Sequence, residues 1–229
     1  MSLKIRQPHF YLRFRDFLLN LSLTNWLILI NIFFFVVALF FGAFSSPVCE
    51  ETICKYLALN PFNILQGKYL WTLITSMFMH GSFAHLFVNM VSLMFIGNFV
   101  EKIIGRKRFF WFYLISGVVA SLFFVMLSFL FGINTEVFAV GASGAIFALG
   151  GLLMILTPRL TVLVFFVIPL PMYLAMLFLL VSLWLISFLA GLPIGNTAHL
   201  GGLLAGVVYG LYLKRKYRKK VMLLNRYFS

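Results

Sequence analysis

"FFWFYLISGVVASLFFVMLSFLF", residues 109–131, runs for 23 residues without a charge. A helix of that length rises about 35 Å, and a bilayer's hydrocarbon core is about 30 Å thick. Similar runs lie on both sides, at 26–44, 83–100, 143–157, 162–190 and 197–213. The chain is 63% apolar and 10% charged, against about 25% charged for a soluble domain. These runs predict an all-α fold, a polytopic membrane bundle of six transmembrane helices. The fourth run is short. The fifth is long and holds Pro169 and Pro171, so part of it is expected to be loop. The organisation expected is a basic cytoplasmic segment at 1–24, a membrane domain at 25–213 and a basic cytoplasmic tail at 214–229. The first run is too long for a signal-peptide core and lacks a small-residue cleavage site, so it is expected to remain as a span.

The formal net charge of +13 is not spread evenly. With the N-terminus in the cytoplasm, sixteen of the eighteen Lys and Arg residues fall inside, leaving Lys55 and Lys68 outside. That is the positive-inside bias, and termini on one side require an even number of spans. The expected location is the cell membrane, multi-pass, with both termini cytoplasmic. The basic tail can also attract anionic lipid, at about 1 kcal/mol per charge. Nucleic acid is not an expected partner, because a basic face interleaved with stacking aromatics is missing. Cys49 and Cys54, in "CEETIC", fall outside; their spacing leaves a disulfide and free thiols equally open.

Polar side chains at membrane depth are costly and are functional candidates by default. Ser143 lies in "FAVGASGAIFALGG", residues 138–151, crowded by glycine and alanine. Serine is common in spanning helices because it bonds its own backbone, so the hydroxyl alone says little. Histidine says more, with only four in the chain. His9 lies in the basic N-terminal segment. His85 and Asn89 are spaced i,i+4 on one helix face. His199 opens "NTAHLGGLLAGVVYG", residues 196–210. By the topology above, all three spans carry these residues at their outer ends. Ordinary interhelical hydrogen bonding, worth about 0.6 kcal/mol each, is the plain alternative.

Small residues favour a closer relation. Ala198, Gly202, Gly206 and Gly210 recur every fourth residue, and Gly141, Gly144, Ala145, Ala148 and Gly151 bare the fourth span. Such stripes let backbones approach closely, which would bring Ser143 and His199 within hydrogen-bond reach. A serine hydroxyl needs such a base to become a nucleophile. Phe147, one turn below Ser143, could hold the imidazole by stacking. No acidic residue is well placed to orient His199, with Glu136 the one remaining candidate, so a pair is preferred over a triad. The Ser143 backbone N–H at a helix start, the His85 ring and the Asn89 amide would supply donors for an oxyanion. Gly144 keeps that approach open. No metal site or cofactor is expected; the H-E-x-x-H pattern of a metalloprotease and the paired spanning aspartates of an aspartyl protease are absent. A transporter would need ionisable residues along a path across the membrane, whereas these cluster at one depth.

"GASG" at 141–144, "AHLGG" at 198–202 and "HGSFAHLFVN" at 80–89 together resemble the rhomboid family of intramembrane serine proteases, in its prokaryotic six-helix form. "GNFVEKIIG", residues 97–105, resembles the family's segment at the cytoplasmic end of the second helix. The resemblance implies an intramembrane serine endopeptidase acting on transmembrane protein substrates within the lipid bilayer. It implies Ser143 as nucleophile, His199 as base, and His85, Asn89 and the Ser143 amide as the oxyanion site. Gly141, Gly144 and Phe147 would support these groups, and His80 would be a structural hydrogen-bonding residue. The alternative is a catalytically inactive relative that binds transmembrane helices. Two departures stand out. Trp71 is followed by Thr72 where many members carry arginine, and Phe147 stands where a tyrosine is frequent. Residues 191–196 are expected to cap the site, and a lateral opening beside the fifth span to admit a substrate helix.

Overall fold

The computed structural model describes residues 21–41, 53–133, 135–165, 167–191 and 195–228. The fold is an all-α membrane helix bundle. Its long helices are α1 (Leu23–Phe40), α2 (Phe83–Ile104), α3 (Arg106–Phe131), α4 (Ser143–Leu156), α5 (Met172–Ala190) and α6 (Asn196–Lys216), followed by α7 (Arg218–Tyr227). By length and composition α1, α2, α3 and α5 can each cross a membrane. α4 has only 14 residues, and α6 opens with Asn196, Thr197 and His199, which lower its hydropathy.

Span edges differ from expectation where caps decide them. α1 starts three residues before Trp26, because the Ser22 hydroxyl accepts from the Asn25 amide at 3.1 Å. α2 continues past Val100 to Ile104 through a π-helical turn at Leu93–Gly97. The front of the fifth run is neither helix nor irregular loop. It is an antiparallel hairpin of β1 (Thr161–Val164) and β2 (Ile168–Pro171).

Helices apolar all round cannot orient themselves by amphipathicity. Small and polar residues mark the buried faces instead. α3 buries Ser116, Gly117, Ala120, Ser121 and Ser128, and exposes Ile115, Leu122, Met126 and Phe129. α4 is the centre of the bundle. Eleven of its fourteen residues are buried, with α3, α5 and α6 packed around it. Its pairing with α6 is the most extensive among the described elements. A Cβ on Gly202 would overlap the Gly144 carbonyl, one on Gly206 the Ala148 carbonyl, and one on Gly151 the Leu203 carbonyl.

The segment 97–105 locks α1 against α2. The Glu101 carboxylate accepts from the Leu23 and Thr24 amides at 2.9 and 2.8 Å and from the Thr24 hydroxyl at 2.8 Å. A carboxylate at a helix N-terminus meets both the unpaired amides and the positive end of the dipole. Ser22 donates to Asn98 Oδ1 at 2.7 Å, and Gly97 leaves room for Thr24.

In the long loop between α1 and α2, the Trp71 indole donates to Tyr56 O at 2.8 Å and the Thr72 hydroxyl to Tyr69 O at 2.8 Å. These bonds stand where the resemblance led one to look for an arginine. Cys54 is disulfide-bonded; Cys49 lies outside the described residues, as do His9, residues 1–20 and 192–194 of the expected cap at 191–196.

Candidate active site

Ser143 is the first residue of α4, so the amides of residues 143–145 sit in the turn that has no intrahelical partners. Its Oγ lies 2.8 Å from His199 Nε2. The contact spans 56 residues of sequence and follows from the close approach of α4 and α6. Phe147, one turn down α4, stacks on the His199 ring with centroids 4.5 Å apart and planes 11° apart. The imidazole is thereby held on one face by an aromatic ring and at one edge by the serine.

The other ring nitrogen, His199 Nδ1, is buried and has no hydrogen-bond partner among the described residues. Glu136 is exposed and does not reach it. Asn196, one turn earlier on α6, also has a buried, unpartnered Oδ1. It was not singled out in the sequence, because an asparagine at a helix start reads as a cap.

Ser143, His199, His85, Asn89, Gly141, Gly144 and Phe147 all line one cavity of about 1020 Å³. Gly141 has φ +127°, a region that favours glycine. A Cβ there would sit 2.8 Å from the His85 ring and 3.7 Å from Ser143 Oγ. The His85 imidazole thus lies against the turn that delivers the serine. Ser82 caps α2 by accepting from the His85 amide at 3.1 Å. Asn89 is buried and lines the cavity, and its amide donates one N–H to the His85 carbonyl at 2.9 Å, with no partner for the other among the described residues.

His80 is not among the residues that line the cavity. It is buried beside the site and outside the cavity wall, and its ring nitrogens find no partner of hydrogen-bonding geometry among the described residues. It packs edge-to-face on His85, centroids 5.1 Å apart. Burial, with the neighbouring His85 adding to it, pushes its pKa down to about 3, so the ring is neutral. No cluster of three metal-ligating side chains occurs among the described residues.

A bundle of apolar helices with a serine–histidine contact on the wall of a cavity defines a class of membrane protein built around one buried polar centre. The rhomboid domain family matches residues 67–216, and the chain belongs to this family. It is 32% identical over 186 residues to "Rhomboid protein 1, mitochondrial" of Saccharomyces cerevisiae, covering 79% of this chain and 51% of that one. It is 36% identical over 162 residues to "RHOMBOID-like protein 5" of Arabidopsis thaliana, covering 71% and 50%. It is 38% identical over 104 residues to "Rhomboid protease GluP" of Bacillus subtilis, covering 45% and 19%. The chain spans about half the length of the first two. Family members are named both as protease and as inactive.

Proposed function

We propose that this protein is an intramembrane serine endopeptidase that cleaves transmembrane protein substrates through a Ser143–His199 pair. The observation that carries the reading is the 2.8 Å contact between Ser143 Oγ and His199 Nε2 inside the cavity. Ser143 Oγ attacks the scissile carbonyl carbon as its proton passes to His199 Nε2. The oxyanion that forms is met by the Ser143 amide, the His85 ring and the free Asn89 N–H. His199 then returns its proton to the leaving amine. A water, activated by the same nitrogen, releases the acyl group. Phe147 fixes the imidazole plane where a triad would use a carboxylate. Gly141 and Gly144 keep the carbonyl's approach clear of side chains.

The hydrogen-bond distance between the serine and the histidine supports the active reading over the alternative, an inactive relative that binds transmembrane helices. The proposed topology keeps six spans, α1 to α6, with both termini cytoplasmic and the cavity opening to the outer side. It places the protein in the cell membrane; two relatives are named mitochondrial, one of them from Saccharomyces cerevisiae.

A fluorophosphonate probe tests the pair. It should label Ser143 in detergent-purified protein, fail with Ser143→Ala and be strongly slowed with His199→Ala, since the hydroxyl loses its base. Cleavage of a reporter transmembrane substrate should follow the same order. Wild-type labelling of His199→Ala would show another activator, and residual cleavage by Ser143→Ala would end the assignment.

A further inference from the structure

The β-hairpin has one open edge, and that edge lies along the cavity that holds Ser143. The register identifies it. Thr161 pairs with Pro171, Val162 with Leu170, Leu163 with Pro169 and Val164 with Ile168. Pro169 and Pro171 have no N–H, and the Met172 amide donates to Leu160 O at 2.8 Å. Antiparallel ladders alternate bonded and unbonded pairs. The bonded pairs are therefore Val162 with Leu170 and Val164 with Ile168. The N–H and C=O groups of Thr161 and Leu163 point away from β2, and no described residue bonds them. The outer edge of β2 is different, because its prolines leave it without donors at two positions.

Thr161, Val162, Leu163, Val164 and Phe165 all line the cavity, while none of residues 168–171 does. A strand that offered only one face would contribute alternate residues. Five in a row mean that the cavity runs beside the edge of β1. No charge occurs between Arg159 and Lys214, so the hairpin is as apolar as the spans around it. Unpaired backbone edges in such surroundings are tolerated only where protein or a water-filled cavity satisfies them.

We propose that the free edge of β1 binds an extended segment of the transmembrane substrate, which adds a strand to the hairpin through main-chain hydrogen bonds. The proposal rests on the reading of Ser143 as a peptide-cleaving nucleophile. α4, at 14 residues, rises about 21 Å from Ser143 to Leu156, and β1 starts five residues beyond its end. A substrate covers that distance in about six residues if extended and about fourteen if helical. The occupied segment thus lies on the far side of the scissile bond, toward the cytoplasm in the proposed topology. Main-chain bonding is indifferent to side chains, so what this edge selects is a substrate that can unwind there.

Disulfide trapping tests the proposal. Leu163→Cys is placed in the Ser143→Ala chain and mixed in liposomes with single-cysteine reporter substrates. The substrate cysteine is scanned from five to eighteen residues beyond the scissile bond. Cross-links should recur with a period of two. A period of three to four, or no cross-link, overturns the proposal. In the active chain, Leu163→Pro removes one outward donor and leaves the β1–β2 bonds in place. KM for the transmembrane reporter should rise about three- to tenfold, and an unchanged KM also overturns it. Probe labelling of Ser143 in Leu163→Pro reports that the variant has folded; if it has not, the trapping result decides. Failure of wild-type protein to label at all would count against the protease reading and not against the strand, since trapping needs binding only.

Discussion

Gly141 carries two constraints at once: φ of +127° and a gap that a methyl group would close to 2.8 Å from the His85 ring. Gly141→Ala should strain the turn and push the imidazole aside, lowering kcat/KM on a transmembrane reporter at least about tenfold. The bound comes from oxyanion donors, whose complete loss costs about 10²–10³. Activity within twofold of wild type would show that His85 needs no fixed place. His80 makes a different prediction. Its pKa of about 3 lies below the ordinary 6.5, so the unfolded chain takes up the proton first. Stability from this site is complete above about pH 6.5 and falls as pH drops toward 3. Tm measured in detergent from pH 7.5 to 4 should therefore fall more steeply for wild type than for His80→Gln. Parallel slopes would mean that His80 is already solvated. The sequence marked His80 by its type and by the resemblance; that its ring packs edge-to-face on His85 depends on how the loop enters α2.

At the scale of elements, the α4–α6 pairing carries both the core and the site. The stripe through Gly202 and Gly206 was legible in the sequence because four-residue spacing maps directly onto one helix face. The partner surface on α4 was legible for the same reason. The hairpin was not. Within 162–190 every window is apolar, and hydropathy does not separate a buried strand from a helix; Pro169 and Pro171 signalled an interruption without giving its form. The role of Glu101 was also hidden, since the amides it caps lie 77 and 78 residues away. Gly206→Val should force Ala148 and α6 apart, costing about 1–3 kcal/mol as overpacking does. Probe labelling of Ser143 should fall with it, because the same shift separates Oγ from Nε2. Val208→Ala, two residues on and 67% exposed, should change neither. Equal Tm and labelling for Gly206→Val and wild type would mean that the two helices do not meet as described.

The whole molecule has two unlike ends. At one, Glu101 binds the start of α1, and Arg106, Lys107 and Arg108 begin α3. Arg108 donates to the Tyr217 hydroxyl at 2.9 Å where α6 passes into α7, and Arg159 faces Arg226 across a shallow cleft. At the other end, α2, α4 and α6 each carry a residue of the site in their first turn: His85, Ser143 and His199. Leu59 pairs with Ala139, tying the loop that carries Lys68 and Trp71 to the segment just before Ser143. Apart from Lys55 and Lys68, the described basic residues thus gather at the end opposite the site, the distribution that a cytoplasmic preference for Lys and Arg would favour. The proposed topology sets the basic end inside and the site toward the outer surface. Cysteines introduced singly at Lys107, Lys219 and Lys68, with Cys49 and Cys54 replaced by serine, make this measurable. A membrane-impermeant maleimide added to intact cells should label Lys68→Cys alone. In inverted vesicles it should label Lys107→Cys and Lys219→Cys and spare Lys68→Cys. Labelling of Lys219→Cys and Lys68→Cys from the same side would require an even number of crossings between them, in conflict with α2 to α6 as five successive spans. It would also place the start of α6 at the wrong face to meet Ser143, so the 2.8 Å contact could not survive such a result.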